Sequence, residues 1–275
     1  MSDQPTPLDK SPERIASLFC EVAPRYDFLN HFLSLSLDRS WRRLAARDLF
    51  KSLARDGSVL TSPVLDVATG TGDLLMTLIK ESRRRKFQFV TDKSGPTVTT
   101  FDGTTRGVDE RPFVGLDFSS GMLEIAAKKI QRSGLEEQTT FLQADATAMP
   151  FANDTFAAAT VAFGVRNMAN LDQGLAELVR VVRPGGYVGI LEFTMPRGWF
   201  FGPVYRFYFK HVLPRLGRLF STNRQNAYRY LYESVAAFDD RETLAARMRH
   251  AGLVDVSAQP LTFGTVAWYK GRKIS

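Results

Sequence analysis

The sequence predicts a single α/β domain built on a mostly parallel seven-stranded sheet with helices on both faces. Three observations predict it. Apolar runs of strand length alternate with amphipathic segments of roughly 10–15 residues, the signature of right-handed βαβ units. A glycine-rich loop, ATGTG at 68–72, joins the first such run to the first amphipathic segment. The chain of 275 residues fits one large domain with decorations. Together they describe a Rossmann-like architecture.

The elements follow in order. Residues 1–10 are polar and proline-rich and read as a loose tail, and 11–275 as the domain. Residues 11–55 carry apolar positions at helical spacing with a break near Pro24, which predicts two or three helices beside the core. PVLDVA (63–68) is the first strand and GDLLMTLIKESRRR the helix leaving the glycine loop. FVGLD (113–117) is the next strand, followed by the capped amphipathic helix SGMLEIAAKKIQRSG. TTFLQAD and TFAAATVAFG are the third and fourth strands. Helix LDQGLAELVRVVR, a Pro-Gly-Gly turn and strand YVGILEF come next. Residues 197–235 form a lid between the fifth and sixth strands. Helix DRETLAARMRHAG stops at Gly252, and VDVSA and TFGTVAWYKG alternate as edge strands do. Residues 86–112 are too long for an αβ connection; FQFVTD and TVTTFDG, flanking Lys-Ser-Gly-Pro, predict a β-hairpin insertion there.

Composition narrows the function classes. No stretch of 18 uncharged apolar residues exists, so no transmembrane helix is expected. MSDQPTPLDKSPER lacks the apolar core of a secretory signal and the acid-poor face of a transit peptide. Cys20 is the one cysteine, which excludes an internal disulfide and a thiolate metal cluster and suits reducing cytoplasm. No His or carboxylate grouping has metal-ligand spacing, so no metal is expected. The net charge is +7, and its distribution matters more than its size. From Phe193 to Tyr232 there are seven basic residues and no acidic one. Aromatic and basic residues alternate with apolar ones over 199–220, a composition that suits contact with an anionic membrane surface.

The glycine loop carries the cofactor argument. A dinucleotide fingerprint needs a third glycine where Leu75 stands, which disfavours a nicotinamide dehydrogenase. Asp66, just before the loop, would repel a pyrophosphate and suits a cationic ligand. S-adenosylmethionine is such a ligand, with a sulfonium, an ammonium, a ribose and no phosphate. Gly70, Thr71 and Gly72 would approach it, with the helix N-terminus and the Thr71 amide meeting its carboxylate. The acid for the ribose hydroxyls is Asp117 rather than Asp92. Asp117 ends a strand that runs at once into a capped helix, whereas Asp92 runs into a Gly-Pro turn. Asp145, with Ala146 beside it, is placed for the adenine amino group or caps a helix.

The fourth strand raises a question of its own. TFAAATVAFG is apolar throughout yet opens onto Val165, Arg166 and Asn167. An arginine at the end of a core strand costs several kcal/mol if dry and unpaired, about 3–5 when a buried partner is missing. Something polar must meet it: a ligand oxygen, or a local carboxylate such as Asp145.

With these residues in place, the chain resembles the ubiquinone/menaquinone biosynthesis C-methyltransferases, class I S-adenosylmethionine enzymes that act on polyprenyl quinols. The matching stretches are RYDFLN (25–30), LDVATGTGDL (65–74), LDFSSGML (116–123), ADATAMPFANDTFAAATVAFGVRN (144–167), RVVRPGGYVGILEFTMP (180–196), HVLPRLG (211–217), YRYLYESVAAFDD (228–240) and the terminal WYKGRK. AFGVRN and YRYLYES are more specific than the loop, which all class I methyltransferases share. Two departures stand out: the insertion before Asp117, and Thr69, where members carry Cys or Gly.

The resemblance implies C-methylation of a quinol, demethylmenaquinol or a 2-methoxy-6-polyprenyl-1,4-benzoquinol, with Arg166 and Asn167 as the catalytic residues. A phenol near pKa 10 is mostly protonated at neutral pH, a handicap of roughly 4 kcal/mol for a reaction that needs the phenolate. Arginine keeps its proton in proteins, so Arg166 would act electrostatically and Asn167 would orient the oxygen or a water. His31, His211 and Asp145 are candidates for the base, with Tyr26 as a hydrogen-bonding partner. Nucleic acid is not an expected partner: base-aminomethylating enzymes carry Asn- or Asp-Pro-Pro-aromatic where this chain has Gly-Val-Arg-Asn. A silent binding protein is the third reading. Oligomeric state, a homodimer included, is left open.

Overall fold

The structure is a computed structural model that describes residues 34, 36–90, 97–196 and 234–274. Helix α1 (Leu37–Leu53) leads into the short strand β1 (Val59–Leu60) and the central strand β2 (Val64–Val67). Helix α2 (Asp73–Arg84), strands β3 (Gln88–Phe89), β4 (Thr97–Thr99), β5 (Thr105–Gly107) and β6 (Phe113–Asp117), and helix α3 (Ser120–Arg132) follow. Strands β7 (Thr139–Gln143) and β8 (Phe156–Ala162), helix α4 (Leu171–Val181), strand β9 (Val182–Phe193), helix α5 (Arg241–His250) and strands β10 (Leu253–Leu261) and β11 (Val266–Lys273) complete the chain.

The main sheet has seven strands in the order β10-β11-β9-β8-β2-β6-β7. Neighbours from β9 to β7 are parallel, and β11 is antiparallel to both β9 and β10. β2 is buried at every position and β8 at all but its last, as central parallel strands covered on both faces must be. One core packs α1, α2 and α3 on one face through Phe50, Leu78 and Leu123. The other packs α4 and α5 on the opposite face through Leu178 and Leu244. Local chemistry sets the helix starts: Ser119 accepts from the Met122 amide, Asn170 from Gln173, and Asp240 from Glu242 and Thr243.

Of the helices expected over 11–55, α1 falls on described residues, and residues 11–33 and 35 lie outside them. Three expectations change. The Pro-Gly-Gly turn sits inside β9, which begins at Val182 and pairs with Phe156 before its register shifts to put Tyr187 against Ala158. Pro184 has no amide to give the ladder, so the strand bulges rather than ending. TFGTVAWYKG supplies an interior strand, because β11 inserts between β9 and β10 and leaves β10 at the edge. Residues 86–112 do not fold as one hairpin. Gln88–Phe89 pairs parallel with Val59–Leu60, and Thr97–Thr99 pairs antiparallel with Thr105–Gly107. Phe87 and Phe89 are drawn back onto Phe50 and Phe113 at ring distances of 4.9 and 5.1 Å, so aromatic packing outweighs the nearer turn. The insertion rejoins the sheet at the amino end of β6, the end opposite Asp117. Among the described residues no helix is long and apolar enough to cross a membrane.

Candidate active site

The chain builds the sheet from β2 outward through β6 and β7, then returns to lay β8 on the other side of β2. The carboxyl ends of β2 and β8 therefore flank the switch point, where open α/β sheets hold their ligands.

Asp66 lies within β2 and is 1% exposed. Its Oδ2 accepts from Thr69 Oγ1 at 2.7 Å and its Oδ1 from Thr160 Oγ1 at 2.9 Å. Burial pushes its pKa up to about 7, against the pull of both hydroxyls and the charge of Arg42. Thr69, one of the two departures from the family pattern, thus holds the acid. The loop then turns through left-handed backbone at Ala68, Gly70 and Gly72. The Gly70 amide donates to Asp117 Oδ2 at 2.8 Å, and the Ser119 amide to Asp117 Oδ1 at 2.8 Å. Burial raises the Asp117 pKa while these amides oppose the rise.

A side chain at Gly70 would meet nothing within 4 Å, so the loop offers bare backbone to open space. Beside it stand Asp117, a partly exposed residue, and Phe118, 39% exposed. Bare amides, a carboxylate for hydroxyls and an apolar ring fit S-adenosylmethionine. Thr71 is buried, and its hydroxyl accepts from Lys129 Nζ at 3.2 Å. Lys129 also pairs with Asp73 at the start of α2. Asp145 and Ala146 are half-buried in the turn after β7; Asp145 Oδ1 accepts from the Thr147 amide at 2.8 Å. The Ala144 amide ties that turn to the Asp117 carbonyl at 3.1 Å.

Arg166 sits in a single 3-10 turn, Val165–Asn167, just past β8. It is 4% exposed and meets Glu192, a fully buried acid near the carboxyl end of β9. Nη1 lies 2.7 Å from Glu192 Oε1 and 2.6 Å from the Phe163 carbonyl, and the Arg166 amide donates to Glu192 Oε2 at 3.4 Å. Asp145 is therefore not its partner. The guanidinium carbon stacks 5.4 Å from the Phe193 ring centroid, while Nε is buried with no acceptor. Phe193, Phe163 and Trp41 form one aromatic group, with centroids 4.5 Å apart for the first two and 6.3 Å for the last two. The Asn167 amide closes the turn onto the Gly164 carbonyl at 3.0 Å.

The two strand ends abut. A Cβ at Gly164 would stand 2.6 Å from Ala68 Cβ, and Phe163 and Ala68 both hold positive φ. This glycine lets the arginine turn lie against the cofactor loop. Gly164→Ala is expected to cost about 1–3 kcal/mol through overpacking, lowering the melting temperature and weakening binding of the product S-adenosylhomocysteine in a thermal-shift titration.

Sequence reasoning missed Glu192, Lys129, Thr160 and the Trp41–Phe163–Phe193 group. A signal existed for the first: an acid at the end of the otherwise apolar YVGILEF demands a cation as much as Arg166 demands an anion. Asp92, His31, His211, Tyr26 and the lid up to residue 233 lie outside the described residues. Among the described residues no group of three or more His, Cys, Asp or Glu could hold a metal ion.

Known proteins resemble this chain over nearly all of its length. The model of the ubiE/COQ5 methyltransferase family matches residues 8–273. The "Ubiquinone/menaquinone biosynthesis C-methyltransferase UbiE" of Geobacter sulfurreducens is 39% identical over 97% of this chain and 91% of its own. The "Demethylmenaquinone methyltransferase" of Thermus thermophilus is 44% identical over 92% of this chain and 99% of its own. A crystal structure of a SAM-dependent methyltransferase from Thermotoga maritima shares the fold, with a TM-score of 0.56 at 16% identity over 94% of this chain and 99% of its own. A glycine loop tied to Asp117, and a family model and relatives that span nearly the whole chain, lead to one assignment: this protein belongs to the ubiE/COQ5 methyltransferase family.

Proposed function

We propose that this enzyme methylates a ring carbon of a polyprenyl quinol, demethylmenaquinol in the first instance, with Arg166 stabilising the reacting phenolate. It is an S-adenosylmethionine-dependent methyltransferase of quinone biosynthesis, as its family and full-length relatives are. The finer assignment is carried by the orphaned Nε of Arg166. A buried donor with no acceptor costs about 1–3 kcal/mol, and an oxygen of the substrate, or a water held by it, would relieve that cost.

The residues divide the work. When bound, S-adenosylmethionine supplies a methyl group activated by its sulfonium. Gly70, Thr71 and Gly72 hold the donor by backbone, Asp117 by its ribose hydroxyls, and Asp145 and Ala146 at the adenine. Asp66, beneath the loop, provides negative potential for the cationic end. Glu192 fixes the Arg166 guanidinium through Nη1 and the Arg166 amide, leaving Nε unpaired for the acceptor. Arg166 lowers the cost of phenolate, part of the roughly 4 kcal/mol handicap of a neutral phenol at pH 7. Asn167 orients the oxygen or its water. The Trp41, Phe163 and Phe193 rings give the quinol an apolar wall. The enzyme works peripherally on the cytoplasmic face of a membrane. The test is direct: labelled methyl from S-adenosylmethionine should appear on demethylmenaquinol, and cells lacking the protein should accumulate the demethylated quinone. A normal quinone pool in such cells would overturn the reading.

Asp66 makes binding depend on pH. Its folded pKa, about 7, lies above the ordinary aspartate value of 3.8, so between the two the folded state holds a proton that the unfolded chain has lost. Stability from this group is fully present below pH 4 and is lost as pH rises through about 7. A cationic ligand selects the ionised form, so S-adenosylmethionine should bind up to roughly tenfold more weakly at pH 6 than at pH 8. Calorimetry in buffers of different ionisation enthalpy should show proton release at pH 6 and none at pH 8, and Asp66→Asn should abolish the difference.

A further inference from the structure

We propose that the hollow between α1 and α2 is the surface on which this enzyme rests on an anionic lipid bilayer, its rim cations meeting headgroup phosphates. The hollow measures about 580 Å³ and is lined by seven cationic side chains against two carboxylates, Asp73 and Glu81. Both acids are spent on the floor. Arg42, with a side chain 7% exposed, approaches Asp73 at 3.7 Å, and Lys129 pairs with the same acid. Glu81, 9% exposed, takes Arg84 at 2.6 Å and Arg47 at 3.9 Å. The rim keeps the excess. Arg39, Arg43 and Lys80 are exposed, and among the described residues none has a carboxylate partner.

The arrangement selects the kind of anion. A small anion entering the hollow would meet a floor already neutralised. Arg39, Arg43 and Arg47 instead recur every fourth residue along roughly 12 Å of α1, and Lys80 and Arg84 do the same on α2. Rows of exposed cations on two helices in contact fit an extended anionic plane. The position fits as well. Asp73 opens α2 directly after the glycine loop, and the Arg42 guanidinium lies 5.7 Å from the Phe163 ring, so the hollow and the active site share a wall. A bilayer seated there lies beside the site that must receive a membrane-borne quinol. The purpose of the surface rests on the quinol reading; its detection does not.

The test is flotation of the full-length protein with phosphatidylcholine vesicles, with and without phosphatidylglycerol. Binding is expected only with phosphatidylglycerol, weakening as salt rises. The triple variant Arg39→Gln/Arg43→Gln/Lys80→Gln should lose roughly 100-fold in vesicle affinity, at about tenfold per 1.4 kcal/mol and 1 kcal/mol per cation. Its melting temperature and its methyl transfer to a water-soluble short-chain demethylmenaquinol should stay at the parent's level. Lys128→Gln/Arg132→Gln/Arg249→Gln, neutralising exposed cations outside the hollow, should bind within a few-fold of the parent. Hydrogen exchange of the unmodified protein, expected to slow over 37–47 and 77–84 on vesicles, carries the same test without substitutions. Equal losses in the two triple variants, no preference for phosphatidylglycerol, protection confined to other segments, or displacement by micromolar inorganic pyrophosphate would each overturn the proposal. Failure of the parent to methylate the short-chain quinol would count against the quinol reading alone.

Discussion

Arg166→Lys is expected to lose roughly 100- to 1,000-fold in turnover while binding S-adenosylmethionine within a few-fold of the parent. The difference between the two side chains lies in the number of nitrogens. Arg166 spends Nη1 on Glu192 and the Phe163 carbonyl and still has a buried Nε with no acceptor. Lysine keeps the charge but has a single nitrogen, which Glu192 would take, leaving nothing for a substrate oxygen. Arg166→Ala should do more harm, because it strands a fully buried Glu192; unfolding titrations should show about 3–5 kcal/mol of lost stability besides lost turnover. Glu192→Gln keeps an acceptor for the Phe193 amide, which Glu192 Oε1 now accepts at 2.8 Å, and removes only the compensating charge. It should therefore fold and shift the pH dependence of turnover toward lower pH, since an uncompensated Arg166 favours phenolate more strongly. Turnover of Arg166→Lys close to the parent's would remove Arg166 from the mechanism, whatever the stability data show.

Asp117→Ala is expected to weaken S-adenosylhomocysteine binding by roughly 100-fold, measured by calorimetry, corresponding to the loss of about 2–3 kcal/mol of hydrogen bonding to a charged group. Asp117 does two things at once. Its oxygens receive the Gly70 and Ser119 amides, so it fixes the glycine loop against the start of α3. The residue is also only half-buried, and its two oxygens have lone pairs left to accept from ribose hydroxyls. Asp117→Asn keeps one acceptor oxygen and should lose less. Affinity within threefold of the parent in Asp117→Ala would show that the ribose is held elsewhere.

Much of this molecule could be read from local pattern. The strands PVLDVA, FVGLD and TFAAATVAFG and the helices after them are where periodicity puts them, because burial on both faces forces apolar continuity and helix caps declare themselves within three residues. The preference for Asp117 over Asp92 also rested on local signals, and the Gly70 contact places Asp117 at the loop. The errors share a cause. Phe87 and Phe89 looked like half of a hairpin, and β11 looked like an edge, because partner choice among strands is made by contacts remote in sequence.

Arg166 marks the boundary most clearly. The sequence alone determined that an arginine at the tip of a buried strand must be met by something polar, since the cost of a dry, unpaired guanidinium is a property of the residue and its surroundings. Only the tertiary structure decided that Glu192, 26 positions away at the end of the neighbouring strand, is what meets it. That pairing arises from the parallel register of β8 on β9, which puts Ala162 beside Leu191 and so sets the two strand tips, with their opposite charges, side by side.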